Sequence, residues 1–204
     1  MTGPAGSAGP AALRRVLAAA PGPWRSCLGS ADWELIRHSP CPVLLTRREE
    51  ATYANVLVAV DPLHAHDRTA SLDDQLVGLA RALCAPAGRI RLLHCHLPAE
   101  YVPLRAPGAQ PVTLFPGHGH SLEDHRAAVQ GLADRHGIAA ADVCLEAADP
   151  REAIPEQVAR EGIDLVVMGW VARSRLQRLL VGSTADAVFG RLACDVALVR
   201  PPAA

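Results

Sequence analysis

Three groups of residues have types and spacings suited to chemistry. The first lies in "MGWVARSRLQRLLVGSTADA". There Met168-Gly169 end an apolar run, Arg173, Arg175 and Arg178 follow, and Gly182-Ser183-Thr184 sit at a helix start. Unpaired N–H groups and the dipole at a helix start attract phosphate, and glycine lets the backbone approach it closely. The second is Asp61, which ends the apolar run "NVLVAV" and precedes Pro62. The third is histidine: His94 and His96 share one face of a strand, and His118 and His120 fall in a later loop. No carboxylate or thiolate spacing completes a zinc site around them, and Cys95 belongs to the opposite face, so no metal is expected. No G-x-S-x-G elbow supplies a nucleophile either.

Each residue also has a plain structural reading. Asp61-Pro62 makes a turn, Ser183 caps a helix and the arginines are a solvated face. Only convergence on one crevice favours a ligand site, so the elements that would position these residues matter more than any one of them.

From Asn55 the chain alternates regularly. "NVLVAVD" reads as a strand buried on both faces. "ASLDDQLVGLARALCAP" places Leu72, Leu76, Leu79 and Leu83 at helical spacing, with Pro86 and Gly88 expected to stop it. "RIRLLHCHLP" is the second strand, followed by an irregular stretch from 98 to 120. A helix opens at Ser121 and closes near Gly137, and "ADVCLEAA" is the third strand. Asp149-Pro150-x-Glu152 is a strong helix start, with Pro155 still close to the first turn, where a missing N–H matters least. "IDLVVMG" is the fourth strand, and a helix at 183–193 leads to a fifth at 195–200.

This alternation predicts an α/β fold, a five-stranded parallel doubly wound sheet over residues 53–202. Numbered along the chain, the strands take the order 3-2-1-4-5. The ligand crevice then lies between the carboxyl ends of strands 1 and 4, beside Asp61 and Gly169.

The last segment is used twice. "LLVGSTADAVFGRLACDVALVR" (179–200) matches "CLGSADWELIRHSPCPVLLTRR" (27–48) in register: Gly-Ser, then a cysteine at the same offset, an apolar run and arginine. Ser30 is expected to cap the first copy's helix. Its strand, 42–46, has no convincing partner upstream and needs a sheet edge. We expect Val43–Thr46 to pair antiparallel with Val196–Val199. The residues before Trp24 read as a disordered or weakly helical tail rather than a targeting signal.

Half the residues are hydrophobic, 20% are charged and the net charge is −1, which describes a globular chain with no bias toward nucleic acid or anionic membranes. No apolar stretch approaches the roughly 20 residues that span a bilayer. The six cysteines, without a CxxC pair, read as reduced core thiols, and the expected compartment is the cytoplasm.

These residues resemble the universal stress protein family. Its nucleotide-binding members carry G-x-x-G, nine residues, then G-[ST]; here the pattern reads Gly169, Trp170, Val171, Ala172, nine residues, then Gly182-Ser183. "VLVAVD", "LLH" and "CDVALVRP" resemble the family too, so the likeness covers 54–202. The first repeat looks like the end of a preceding domain of the same kind, leaving residues 1–49 as a remnant of a tandem arrangement that adds an antiparallel edge strand.

The resemblance implies a stress-response regulatory module, not an enzyme, that binds ATP with magnesium or another adenine nucleotide. Asp61 would face the adenosine; Gly169 and Ala172, with Met168 beside them, the phosphates; and Gly182, Ser183 and Thr184 the phosphates and ribose. Ala172 departs from the pattern, and its methyl would crowd a phosphate or a positive φ, while Trp170 adds bulk beside the same site. The alternative is a nucleotide-independent interaction module of the same fold; a weak nucleotide hydrolase is a third reading. The family associates through its last strands, so a homodimer is expected unless residues 42–46 already fill that edge.

Overall fold

A computed structural model describes residues 13–17, 24–47, 52–63, 71–96, 120–170 and 188–200. Along the chain run β1 (Arg14–Leu17), α1 (Trp24–Cys27), α2 (Ser30–His38), β2 (Val43–Thr46), β3 (Tyr53–Val60), α3 (Ser71–Leu83) and β4 (Cys84–Cys95). After these come α4 (Leu122–Arg135), β5 (Val143–Glu146), α5 (Pro150–Glu161), β6 (Leu165–Gly169) and β7 (Asp195–Val199). The strands form one sheet in the order β1-β2-β7-β6-β3-β4-β5. Every neighbouring pair is parallel except β2 and β7.

The central strands are apolar throughout because both faces are covered. Val56, Val58, Leu165 and Val167 pack with Leu72, Leu76, Val129 and Leu132 of α3 and α4. The alternate positions Leu57, Val166, Met168 and Val196 face the other way, onto Ile36 of α2, Ile154 of α5 and Phe189. Local signals set the helix ends. Ser121 caps α4, accepting from the Asp124 N–H, and Asp149 caps α5 with Pro150 next. Gly162 ends α5 at φ 61°, a left-handed conformation that suits glycine.

The orphan segment finds the expected partner: Val43 lies opposite Leu198, Leu44 opposite Ala197 and Leu45 opposite Val196, antiparallel. Polar contacts fix this addition. The Asp195 carboxylate, 3% exposed, accepts from Thr46 Oγ1 at 2.8 Å, the Arg47 N–H at 3.2 Å and the Tyr53 hydroxyl at 2.9 Å. Trp24 Nε1 donates to the Cys194 carbonyl at 2.7 Å, and the Arg47 guanidinium lies 4.6 Å from the Trp24 ring centre.

Three local expectations are corrected. The segment before Trp24 includes a strand: β1 pairs in parallel with β2, so β2 is an inner strand rather than the edge. The sheet supplies the partner, Val16 turns inward and both arginines stay exposed. Ser30 is the first helical residue of α2, and Gly29 is the cap, its N–H donating to the Asp32 carboxylate at 2.9 Å. Helix α3 ends at Leu83, and Pro86 and Gly88 lie inside β4 instead of closing the helix. The pairing shifts there, from Tyr53 opposite Cys84 to Asn55 opposite Arg89, and such an irregularity tolerates proline.

Candidate functional site

The position expected for the crevice is at the carboxyl ends of β3 and β6. These strands are parallel neighbours, with Ala59 opposite Met168, so Asp61 and Gly169 leave the sheet at the same end. From β3 the chain continues to β4 on one side, while β6 and β7 lie on the other, which makes this the point where strand order reverses.

Asp61 is half-buried, and its N–H donates at 3.2 Å to the carboxylate of Asp73, a buried residue in the first turn of α3. This support was not foreseen from sequence, where Asp73 is one acid among several at a helix start. Met168 is 4% exposed and packs into the core facing α5. Gly169 is half-buried at the last position of β6, opposite Val199.

Trp170 does not crowd the site as expected. Its N–H donates to the Val199 carbonyl at 2.7 Å, and its ring, 6% exposed, stacks on Phe189 at 6.1 Å between centroids. Trp33 of α2 completes the cluster, 6.4 Å from Trp170 and 5.9 Å from Phe189. The rings bury the tryptophan on the α2 side of the sheet and tie the N-terminal elements to the residue that follows Gly169. Ala172, Gly182, Ser183, Thr184 and the three arginines lie outside the described residues, as does most of the helix expected at 183–193.

Beside Asp61, imidazoles gather. His94, 1% exposed, has Nδ1 at 3.1 Å from the Val60 carbonyl and Nε2 at 2.8 Å from His125 Nδ1. The His125 ring stacks on His96 at 4.8 Å and meets His120 edge-on at 6.0 Å. Burial lowers the His94 pKa below the usual histidine value, and the His125 pKa is lowered by desolvation and by the neighbouring imidazoles. His125 escaped the sequence reading; it lies in the first turn of α4, where its ring meets His94 near the end of β4 and His96 just after it. Among the described residues no group of three His, Cys, Asp or Glu side chains is arranged to hold a metal ion.

All six cysteines are half-buried. Burial pushes the Cys95 and Cys194 thiols up to about 12 and Cys144 to about 11, which suits packing rather than nucleophilic chemistry. No described helix is long and apolar enough to cross a membrane.

Comparison with known proteins agrees with the α/β fold. The model of the Universal stress protein family matches residues 52–200. The chain is 27% identical over 174 residues to the universal stress protein E homolog of Haemophilus influenzae, covering 83% of this chain and 55% of that one. It thus spans about half the length of that relative. Among solved structures it is similar to a functionally unknown protein from Pseudomonas aeruginosa PAO1, with a TM-score of 0.67, 22% identity and coverage of 93% of this chain and 63% of the other. It is also similar to a universal stress protein from Archaeoglobus fulgidus, with a TM-score of 0.60 and 16% identity over 93% of this chain and 61% of the other.

Proposed function

The chain belongs to the universal stress protein family, and from that premise we propose that it is a cytoplasmic, non-catalytic regulatory module whose crevice takes an adenine nucleotide, in the first instance ATP with magnesium. One observation carries the reading. Asp61 and Gly169 emerge at the same end of adjacent parallel strands, where the order reverses and open α/β sheets take their ligands. Burial of Trp170 against Phe189 and Trp33 supports it, because the bulkiest residue of the stretch is withdrawn into the core.

In this reading the Asp61 carboxylate accepts hydrogen bonds from the adenosine, and Asp73 holds its backbone in place. Gly169 and Ala172 face the phosphates, and backbone N–H groups at Gly182-Ser183-Thr184 receive the phosphates and ribose. Magnesium would neutralise charge on the phosphate oxygens. Residues 1–49 stand for the end of a preceding domain of the same family.

Titration calorimetry with ATP and magnesium tests the reading. We expect binding that Gly182→Val abolishes, Asp61→Ala weakens by about tenfold, equivalent to one lost hydrogen bond to a charged group, and Ala172→Gly strengthens. Absence of heat at millimolar nucleotide in both the native chain and Ala172→Gly rejects it in favour of an interaction module.

A further inference from the structure

The imidazole cluster has a hydrogen-bond logic that the nucleotide reading does not use. A carbonyl oxygen only accepts, so the contact with Val60 requires the hydrogen of neutral His94 to sit on Nδ1. His94 Nε2 then carries a lone pair, and His125 must donate its Nδ1 hydrogen across the 2.8 Å contact. One arrangement satisfies all three groups: Val60 carbonyl, His94 and His125 in a directed chain linking β3, β4 and α4.

We propose that His94 and His125 form a proton-sensitive latch that holds the first turn of α4 against the ends of β3 and β4, and that acidification releases it. A first proton can be taken on His125 Nε2 without breaking the chain. A second, on His94 Nε2, sets two N–H groups against each other across 2.8 Å and puts two cations in contact.

The surroundings decide how readily those protons bind. From the residue after β4, His96 stacks on His125, and from the segment before α4, His120 lies edge-on to it; both lower the His125 pKa as like charges. The amino-terminal end of α4 carries the positive end of the helix dipole, which also opposes a cation at His125. Two carboxylates act the other way: Asp61 at the end of β3, and Asp124 on α4. Asp124 is already engaged by the Ser121 N–H at 2.7 Å and hydroxyl at 2.8 Å, which limits what it gives the imidazoles. Among the described residues these are the charged and titratable groups around the pair.

The balance favours neutral imidazoles, in line with the lowered pKa of both. A histidine whose folded-state pKa is depressed contributes its full stability above the unfolded value of about 6.5 and loses it as the pH falls below that value. The loss falls on α4, whose first turn stands beside Asp61. Acid therefore loosens the crevice wall whether or not a nucleotide is bound.

The experiment uses the full chain labelled with nitrogen-15, with imidazole NMR spectra recorded from pH 8 to 5. His94 and His125 should appear as Nδ1–H tautomers at pH 7.5 and titrate below about 6.5, with concerted shifts of the amides at 122–125. His125→Gln keeps an N–H donor toward His94 that takes no proton, so its melting temperature should fall less between pH 7.5 and 5.5 than that of the native chain. Midpoints at or above the ordinary histidine value, or equal acid losses in both proteins, would overturn the latch. If the variant does not fold, the titration of the native chain decides alone.

Discussion

Replacing Asp195 by alanine should separate the N-terminal elements from the sheet that holds them. Its carboxylate is 3% exposed and accepts from Thr46, Arg47 and Tyr53, so one side chain ties β2 and β3 to β7. Hydrogen bonds to a charged acceptor contribute about 1.5–3 kcal/mol each, which for three independent bonds gives an upper bound of roughly 4–9 kcal/mol. Removing a buried charge returns several kcal/mol of desolvation, so the net loss should be about 3–5 kcal/mol. Asparagine keeps the shape and an acceptor oxygen but not the charge, and should cost about 1–2 kcal/mol. Urea unfolding followed by circular dichroism measures both, with an unchanged m-value expected for Asp195→Asn. If Asp195→Ala unfolds within 1 kcal/mol of the native chain, or Asn costs as much as Ala, the carboxylate is not the clamp described.

Gly88→Ala should destabilise by about 1–3 kcal/mol in the same assay, because a Cβ there meets Cys84 Sγ at 2.6 Å and the Tyr53 carbonyl at 2.9 Å, so the backbone must shift. A midpoint unchanged from the native chain would show that the β4 irregularity absorbs a methyl freely. Cys95 and Cys194, with thiols raised to about 12, should resist a thiol-specific disulfide reagent at pH 8, where about one in ten thousand is ionised, and react once guanidinium unfolds the chain. Native-state labelling at either position, located by peptide mapping, would contradict their burial.

The fold class was legible because covered parallel strands leave a direct trace: "VLVAV" and "LVVM" are apolar without alternation, which neither an amphipathic helix nor a half-exposed strand produces. The antiparallel partner of β7 was legible through the repeat, which said what the orphan segment should imitate. Strand β1 was not. "RRVL" buries only Val16, and four residues with one inward side chain become a strand only when a sheet edge is offered. The start of β4 was missed for a related reason: proline and glycine usually end elements, and a pairing irregularity that admits both has no local signature. At the site, Asp61 and Gly169 could be placed from strand ends alone. The bond between His94 and His125 joins residues 31 apart through tertiary packing, which no local spacing encodes.

The added strands also bear on how two copies could meet. A strand edge offers one row of N–H and carbonyl groups, and that of β7 facing away from β6 is taken by β2. The next row, on β2, is taken by β1. Pairing of last strands between copies would therefore have to displace the N-terminal elements, breaking the Asp195 contacts and exposing Leu44 and Leu45, which are completely buried. Burying a leucine side chain contributes about 1.5–3 kcal/mol, so displacement carries a cost that a second copy must repay before any gain in affinity. Association of this chain should accordingly use another face. Asp195→Ala, by loosening the clamp, is the variant in which last-strand pairing becomes competitive: light scattering should find a larger dimer fraction than in the native chain, and an equal fraction in both would mean that the added strands do not guard this edge.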